Sequence, residues 1–170
     1  HFYTRVWRMS MPDGSSAALK LVKALTEESK AMLYREHEFL IRLDGEPFPT
    51  HLAHGTKNNS YFLVTRWIEG DELSSEKAKN IIKSGNEKAQ NLANKFYDIL
   101  ERLKLLKINH RDIREKNFII RDEQPILIDF GWSVFENETD VLCPVGLDEP
   151  DDRLAMESML ARLMDNKGRL

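Results

Sequence analysis

The sequence has a single cysteine, Cys143, so no disulfide can form within the chain. That usage fits a reducing compartment. No apolar stretch approaches the roughly 20 residues that a membrane-spanning helix needs. Charge shows no strong bias. Lys and Arg number 25 against 28 Asp and Glu, a net charge of −3, which gives no basis for nucleic acid as the main partner. There is no internal repeat and no low-complexity tract. Residue 1 is His with no secretory leader before it, and the natural protein is expected to begin further upstream. What is present is an ordinary globular mixture. Hydrophobic residues make up 41% and charged residues 31% of 170, enough to build a core and too much for a wholly disordered chain. The length suits one domain, or a small lobe with a larger one.

The first third reads as strands and one helix. Phe2 to Met9 and Ala17 to Val22 are strand-like around a Pro12-Asp13-Gly14 turn, and alternation places Lys20 on the face of Ala18 and Val22. Residues 26–43 read as a helix capped by Thr26, with Glu27 and Glu28 in its first turn. Met32, Phe39, Leu40 and Leu43 form its apolar stripe. Glu36 falls inside that stripe, so either Lys20 is its cationic partner or it sits at the stripe's edge in solvent. Two short strands are expected around Asn58-Asn59, the second running Tyr61 to Thr65 into a connector at Glu69-Gly70. A polar stretch runs to about residue 86. A helix is expected over 87–107, with Leu92, Phe96, Leu100, Leu103 and Leu106 at helical spacing. Another is expected over 152–165, with Met156, Leu160, Leu163 and Met164 inward and Asp151 or Asp152 as its cap.

The informative segment is 109–131. Apolar runs at 118–120 and 126–128 flank Asp122-Glu123-Gln124-Pro125, a hairpin signal. If residue 121 pairs with 126, residue 118 lies opposite 129, and Asn117 and Asp129 meet at the hairpin's open end. Asp112 lies a few residues upstream. Two carboxylates and an amide then gather around one point, a hard-oxygen set suited to Mg²⁺. Gly131 is expected to let the backbone turn sharply beside Asp129. The alternative is a surface hairpin with solvated acids at its mouth.

His110-Arg111-Asp112 with Asn117, then Asp129-Phe130-Gly131, resembles the catalytic loop and metal motif of the protein-kinase-like superfamily. The resemblance covers nearly the whole chain. Ala18-Leu19-Lys20 resembles the strand whose lysine holds the α- and β-phosphates, and Glu36 the helix glutamate that pairs with it. Tyr61 to Leu73 resembles the strand and hinge that meet adenine, with Thr65 at the gatekeeper position. Asp152 resembles the buried aspartate that braces the catalytic loop. The implied fold is α+β and bilobal: a small, mostly antiparallel β lobe with one helix over 1–66, and a reduced helical lobe over 67–170. The implied activity is transfer of the γ-phosphate of ATP with Mg²⁺. Asp112 would accept the acceptor's proton, Arg114 would contact the γ-phosphate, Lys20 fixed by Glu36 would hold ATP, and Asn117 and Asp129 would bind the metal. Adenine would lie between Ala18 and Ile119 with Ile128 behind, its edge reading the backbone of Arg66 and Ile68.

The pattern also departs from that family. His1 to Trp7, aligned with the end of a glycine-rich loop, contains no glycine. The stretch from Asp129 to Asp152 is short and lacks Ala-Pro-Glu. These features are similar to lipopolysaccharide kinases, surface-polysaccharide kinases and the RIO group. They make a hydroxyl on a carbohydrate or glycolipid the expected acceptor. A serine/threonine protein kinase with a short activation segment is the second reading, and a nucleotide-binding pseudokinase scaffold the third. Family analogy places the protein in the cytoplasm or at the inner face of a membrane, with room for peripheral membrane association or a fused upstream domain through segments outside this stretch. His51 and His54, three apart in a strand, are expected on opposite faces and structural. Cys143 reads as packing, the acidic run 148–152 as helix capping, and Arg5 and Arg8 either as attractors of an anionic acceptor or as a solvated face.

Overall fold

The computed structural model describes residues 5–23, 27–43, 45–58, 60–85, 87–138 and 151–165. Thr26, the side chains of Glu27 and Glu28, Cys143 and the residues before Arg5 lie outside the described residues, as does most of the acidic run 148–152. The architecture is α+β, as expected. The chain divides into two compact units, His1–Glu69 with Asp129–Gly131, and Gly70–Ile128 with Trp132–Leu170.

The first unit is a four-stranded antiparallel sheet in the order β1-β2-β4-β3 with one helix. Its strands are β1 (Arg5–Ser10), β2 (Ser16–Lys23), β3 (His51–Lys57) and β4 (Ser60–Arg66), and α1 (Glu27–Leu43) follows β2. Gly14, at φ 82°, supplies the left-handed residue of the β1–β2 turn. The buried face of α1 is wider than the expected stripe: Leu33, Glu36 and His37 join Phe39, Leu40 and Leu43, while Met32 is half-buried. Phe48 and Phe130 meet edge to face at 5.7 Å in this core.

The second unit contains β5 (Asp71–Glu72), α2 (Glu76–Lys83), α3 (Glu87–Leu105), β6 (Ile108–Asn109), β7 (Phe118–Arg121), β8 (Gln124–Leu127), β9 (Val134–Phe135) and α4 (Asp152–Asp165). The polar stretch before residue 86 holds α2, a helix that its polar composition conceals. Ser75 caps it, accepting from Ala78 N–H, and only Ala78 and Ile82 are buried. Three apolar positions in eight residues, two of them buried, are a weak periodic signal, and the cap is the better clue. Leu106 lies past the end of α3 and is exposed; Met164 is exposed too, whereas Ile99 and Met159 fill the core. Phe96 and Phe118 pack edge to face at 4.9 Å.

The hairpin register differs from the expected one. Phe118 faces Leu127 and Arg121 faces Gln124, so the turn is two residues, not four. Asp122 and Glu123 both take left-handed backbone, φ 48° and 60°, which matches the twist of a tight hairpin. Pro125 therefore sits in a strand, and it is tolerated because β8 is an edge of the β5-β7-β8 sheet. Asn117 consequently pairs with Ile128, whose N–H donates to the Asn117 carbonyl at 2.9 Å, and not with Asp129. Among the described residues no helix is long and apolar enough to cross a membrane.

Gly70 leads into β5 where its neighbours leave no room for a side chain. A Cβ there would stand 2.5 Å from the Ile120 carbonyl oxygen and 2.8 Å from Ile119 Cγ2. Gly70→Ala is expected to destabilise the second unit by about 1–3 kcal/mol, the usual cost of overpacking. Denaturant unfolding followed by a probe in that unit checks it; an unchanged midpoint would contradict the close approach.

Candidate active site

In the first unit, Lys20 projects from β2 toward two carboxylates. Its Nζ lies 2.6 Å from Glu36 Oε2 and 3.0 Å from Asp129 Oδ1. Glu36 is buried, which settles the alternative left open by its place in the stripe. Burial pushes the Lys20 amine down, but the two carboxylates outweigh it and hold its pKa above the ordinary lysine range. The lysine is therefore a fixed cation. Burial raises the Glu36 pKa, against the pull of Lys20. Asp129 has φ 68°, so the left-handed residue is the aspartate itself. Gly131 is not in that conformation; a Cβ on it would make ordinary contacts with Met32 and Asp129 Oδ1. Ala18 stands opposite Thr65 across the β2–β4 ladder. Arg8 is engaged by Glu69 at 2.5 Å and Ser16 at 3.1 Å, and lies over the Trp67 ring, which accounts for it without an anionic acceptor.

In the second unit, the loop after β6 is held by the first residue of α4. Asp152 Oδ2 accepts from His110 N–H at 2.5 Å and Oδ1 from Arg111 N–H at 2.7 Å. Arg111 sits at φ 64°, a conformation unfavourable for a long side chain, and Asp152 pins it. Asp151, not Asp152, caps α4, its Oδ1 accepting from Arg153 and Leu154 N–H. His110 is fully buried, and its Nε2 donates to the Ile128 carbonyl at 3.1 Å while Nδ1 accepts from Asp112 N–H at 3.3 Å. Those partners require the neutral Nε2–H tautomer. Asp112 is buried. Its Oδ2 accepts from Asn117 Nδ2 at 2.8 Å and lies 2.9 Å from Arg114 Nη2. Asn117 Nδ2 also donates to the Asp112 carbonyl at 2.8 Å. The amide nitrogen is thus committed to the loop, and Oδ1 is the atom with lone pairs for a metal. Ile119 and Ile128 are half-buried in this unit. A cavity of about 720 Å³ here is lined by Tyr97, Lys104, Arg111 and Asp152 and does not contain Asp112.

The protein kinase domain matches residues 3–146. The chain belongs to the protein kinase domain family. Among curated proteins it is 35% identical over 85 residues to serine/threonine-protein kinase PknA of Nostoc sp., covering 49% of this chain and 15% of that protein. It is 28% identical over 121 residues to serine/threonine-protein kinase D of Synechocystis sp., 69% of this chain and 22% of that one. It is 31% identical over 122 residues to serine/threonine-protein kinase RHS3 of Arabidopsis thaliana, 69% of this chain and 24% of that one. The chain thus spans a quarter or less of the length of these kinase relatives. The finer likeness to lipopolysaccharide and RIO kinases expected from the sequence is not what these comparisons found.

Three substitutions probe the geometry. Lys20→Met leaves the Glu36 carboxylate buried without its cation and is expected to cost about 3–5 kcal/mol of stability, whereas Glu36→Gln should cost less. Asp152→Ala strands two backbone N–H groups and is expected to cost about 1–3 kcal/mol for each one left dry. Thermal unfolding of the three variants against the parent checks both; a neutral Asp152→Ala would show that water replaces the carboxylate.

Proposed function

We propose that this chain carries the phosphotransfer centre of an ATP-dependent serine/threonine protein kinase. The observation that supports it most is the built catalytic loop. Asp112 is a buried carboxylate held by Asn117 and Arg114, on a backbone fastened by Asp152. The relatives are all named for serine/threonine protein kinases, which favours a Ser or Thr side chain over the sugar hydroxyl expected from the short 129–152 stretch.

In this reading Asp112 orients the acceptor hydroxyl and takes its proton as the oxygen attacks the γ-phosphorus and the bond to the ADP oxygen breaks. Lys20, kept charged by Glu36, holds the α- and β-phosphates. Arg114 faces the γ-phosphate. The residues that the resemblance points to for adenine are Ala18, Thr65 and the backbone of Arg66 and Ile68 in the first unit, and Ile119 and Ile128 in the second. The donor chemistry of Asn117 Oδ1 and the Asp129 carboxylate fits Mg²⁺, which needs one or two carboxylates and completes its shell with water and phosphate oxygens. When bound, the ion would neutralise phosphate charge. Positioning and charge do most of the work because the transition state is loose.

Transfer of labelled γ-phosphate from Mg-ATP to fractionated extract tests this, with Asp112→Asn as control. Label on Ser or Thr of protein bands, absent in the control, is the expected result; label in a glycan or glycolipid fraction would restore the carbohydrate acceptor. Asp112→Asn is expected to keep Mg-ATP affinity and lose most of the transfer, by about a hundredfold or more for a lost general base. Asp129→Ala is expected to weaken Mg-ATP binding, measured by calorimetry; an unchanged affinity would remove Asp129 from the metal site.

A further inference from the structure

Three histidines that the phosphotransfer reading does not use meet in the first unit. His37, on the buried face of α1, stacks on His54 of β3 with centroids 3.9 Å apart and planes 19° apart. His51 Nε2 lies 3.0 Å from His54 Nδ1. Strict alternation would have put His51 and His54 on opposite faces of β3. The strand carries a bulge between His51 and Ala53, which resets the facing and brings both rings to one side. Tyr61 of β4 bonds His37 Nδ1 at 2.9 Å. The residue before His37 is Glu36, the partner of Lys20.

We propose that the imidazoles of His37, His51 and His54 form a proton-sensitive latch that fastens α1 to β3 and β4 near neutral pH and releases it in mild acid, taking Glu36 away from Lys20. The loss of phosphate transfer that would follow rests on the kinase reading above; the latch itself does not.

The geometry limits how many protons the closed cluster can hold. The 3.0 Å contact between His51 and His54 needs one N–H and one lone pair, so it survives with neither or one of the two rings charged. With both charged, two N–H groups point at each other. The stacked pair of His37 and His54 would likewise bring two cations to 3.9 Å, one of them buried. His54 is exposed, so protons reach the cluster. Burial first, then the charge of His54 and His51, lowers the pKa of His37; burial and His54 lower that of His51. Among the described residues, Tyr34 and Glu38 of α1 and Tyr61 of β4 also face this region. Tyr34 meets the His37 ring edge to face at 4.6 Å, and Glu38 acts electrostatically on Tyr61. An aromatic face and an exposed carboxylate favour a cation, but they are outweighed by the buried stack, because Glu38 is screened by solvent. The sign follows from the lowered values. Above the ordinary histidine value of 6.5 both open and closed forms are neutral and the latch is at full strength. As pH falls below it, the open form takes up protons that the closed form resists, so opening gains.

Hydrogen exchange of the α1 amides in the full chain tests this, corrected for the intrinsic pH dependence of exchange. The measurement runs from about pH 7.5 to about pH 5.5, the range in which histidine titrates. The expected result is several-fold faster corrected exchange in acid, with a falling thermal midpoint. His54→Phe keeps an aromatic stack, removes one imidazole from the cluster and should flatten both curves while leaving exchange near neutral pH unchanged. If that variant does not fold, His51→Gln serves in its place. Exchange in the parent that does not change with pH, or a variant as steep as the parent, would overturn the latch. Transfer measured in parallel separates the two proposals: acid-dependent exchange without transfer at any pH supports the latch and sinks the kinase reading.

Discussion

Glu36 is a carboxylate on the buried face of a helix, and the first unit depends on what answers its charge. An unpaired carboxylate there would either protonate or pull α1 out of the core. Lys20 answers it at 2.6 Å, and the same ammonium also reaches Asp129 at 3.0 Å. One cation thus ties a strand, a helix and the 129–131 segment together. The arrangement is weak as a source of stability, since a buried pair repays little beyond its desolvation. It is strong as a constraint, because only one seat of α1 satisfies all three groups. A lysine so held is also fixed in charge and position, which is what binding a polyphosphate asks of it.

The second unit repeats the theme with other donors. Asp152 is a half-buried carboxylate whose two oxygens accept from consecutive backbone N–H groups, and it thereby maintains the left-handed Arg111. Asp112, two residues after His110, is buried, and its partners are the amide of Asn117 and the guanidinium of Arg114. Two buried acids and one half-buried acid therefore meet three kinds of donor. Ammonium fixes an element, backbone fixes a loop, and an amide with a guanidinium fixes the Asp112 carboxylate. Neutral His110, with both nitrogens occupied, links that loop to Ile128.

The acceptor is where motif reasoning and relatedness diverged. A short stretch after Asp129 suggested a non-protein hydroxyl, yet the relatives are serine/threonine kinases. The length of a connecting segment constrains how much surface can dock a substrate, not which chemistry the substrate offers. The proposed role of Asp112 is indifferent to it, because a serine hydroxyl and a sugar hydroxyl would present the same oxygen and proton to that carboxylate.

Much of the frame was legible in the sequence. The β1–β2 turn, the helix with Glu36, α3, α4 and the residues of the 109–131 segment all follow from local rules: turn chemistry, apolar spacing and the residue types that phosphate and metal require. Three features did not follow. The 117–129 register depended on two non-glycine residues accepting left-handed backbone, which no composition rule favours over a longer loop. The meeting of His51 and His54 depended on a bulge, a one-residue offset that reverses which face a side chain takes. Asp152 was visible as a helix start, but Asp151 is the cap, and the choice between them rests on which carboxylate can reach Arg111 across 41 residues of chain. The sequence by itself determined which groups were available and which element carried each. Only the tertiary structure decided which carboxylate meets which donor, because a single ångström or one residue of register separates a solvated acid from a buried one.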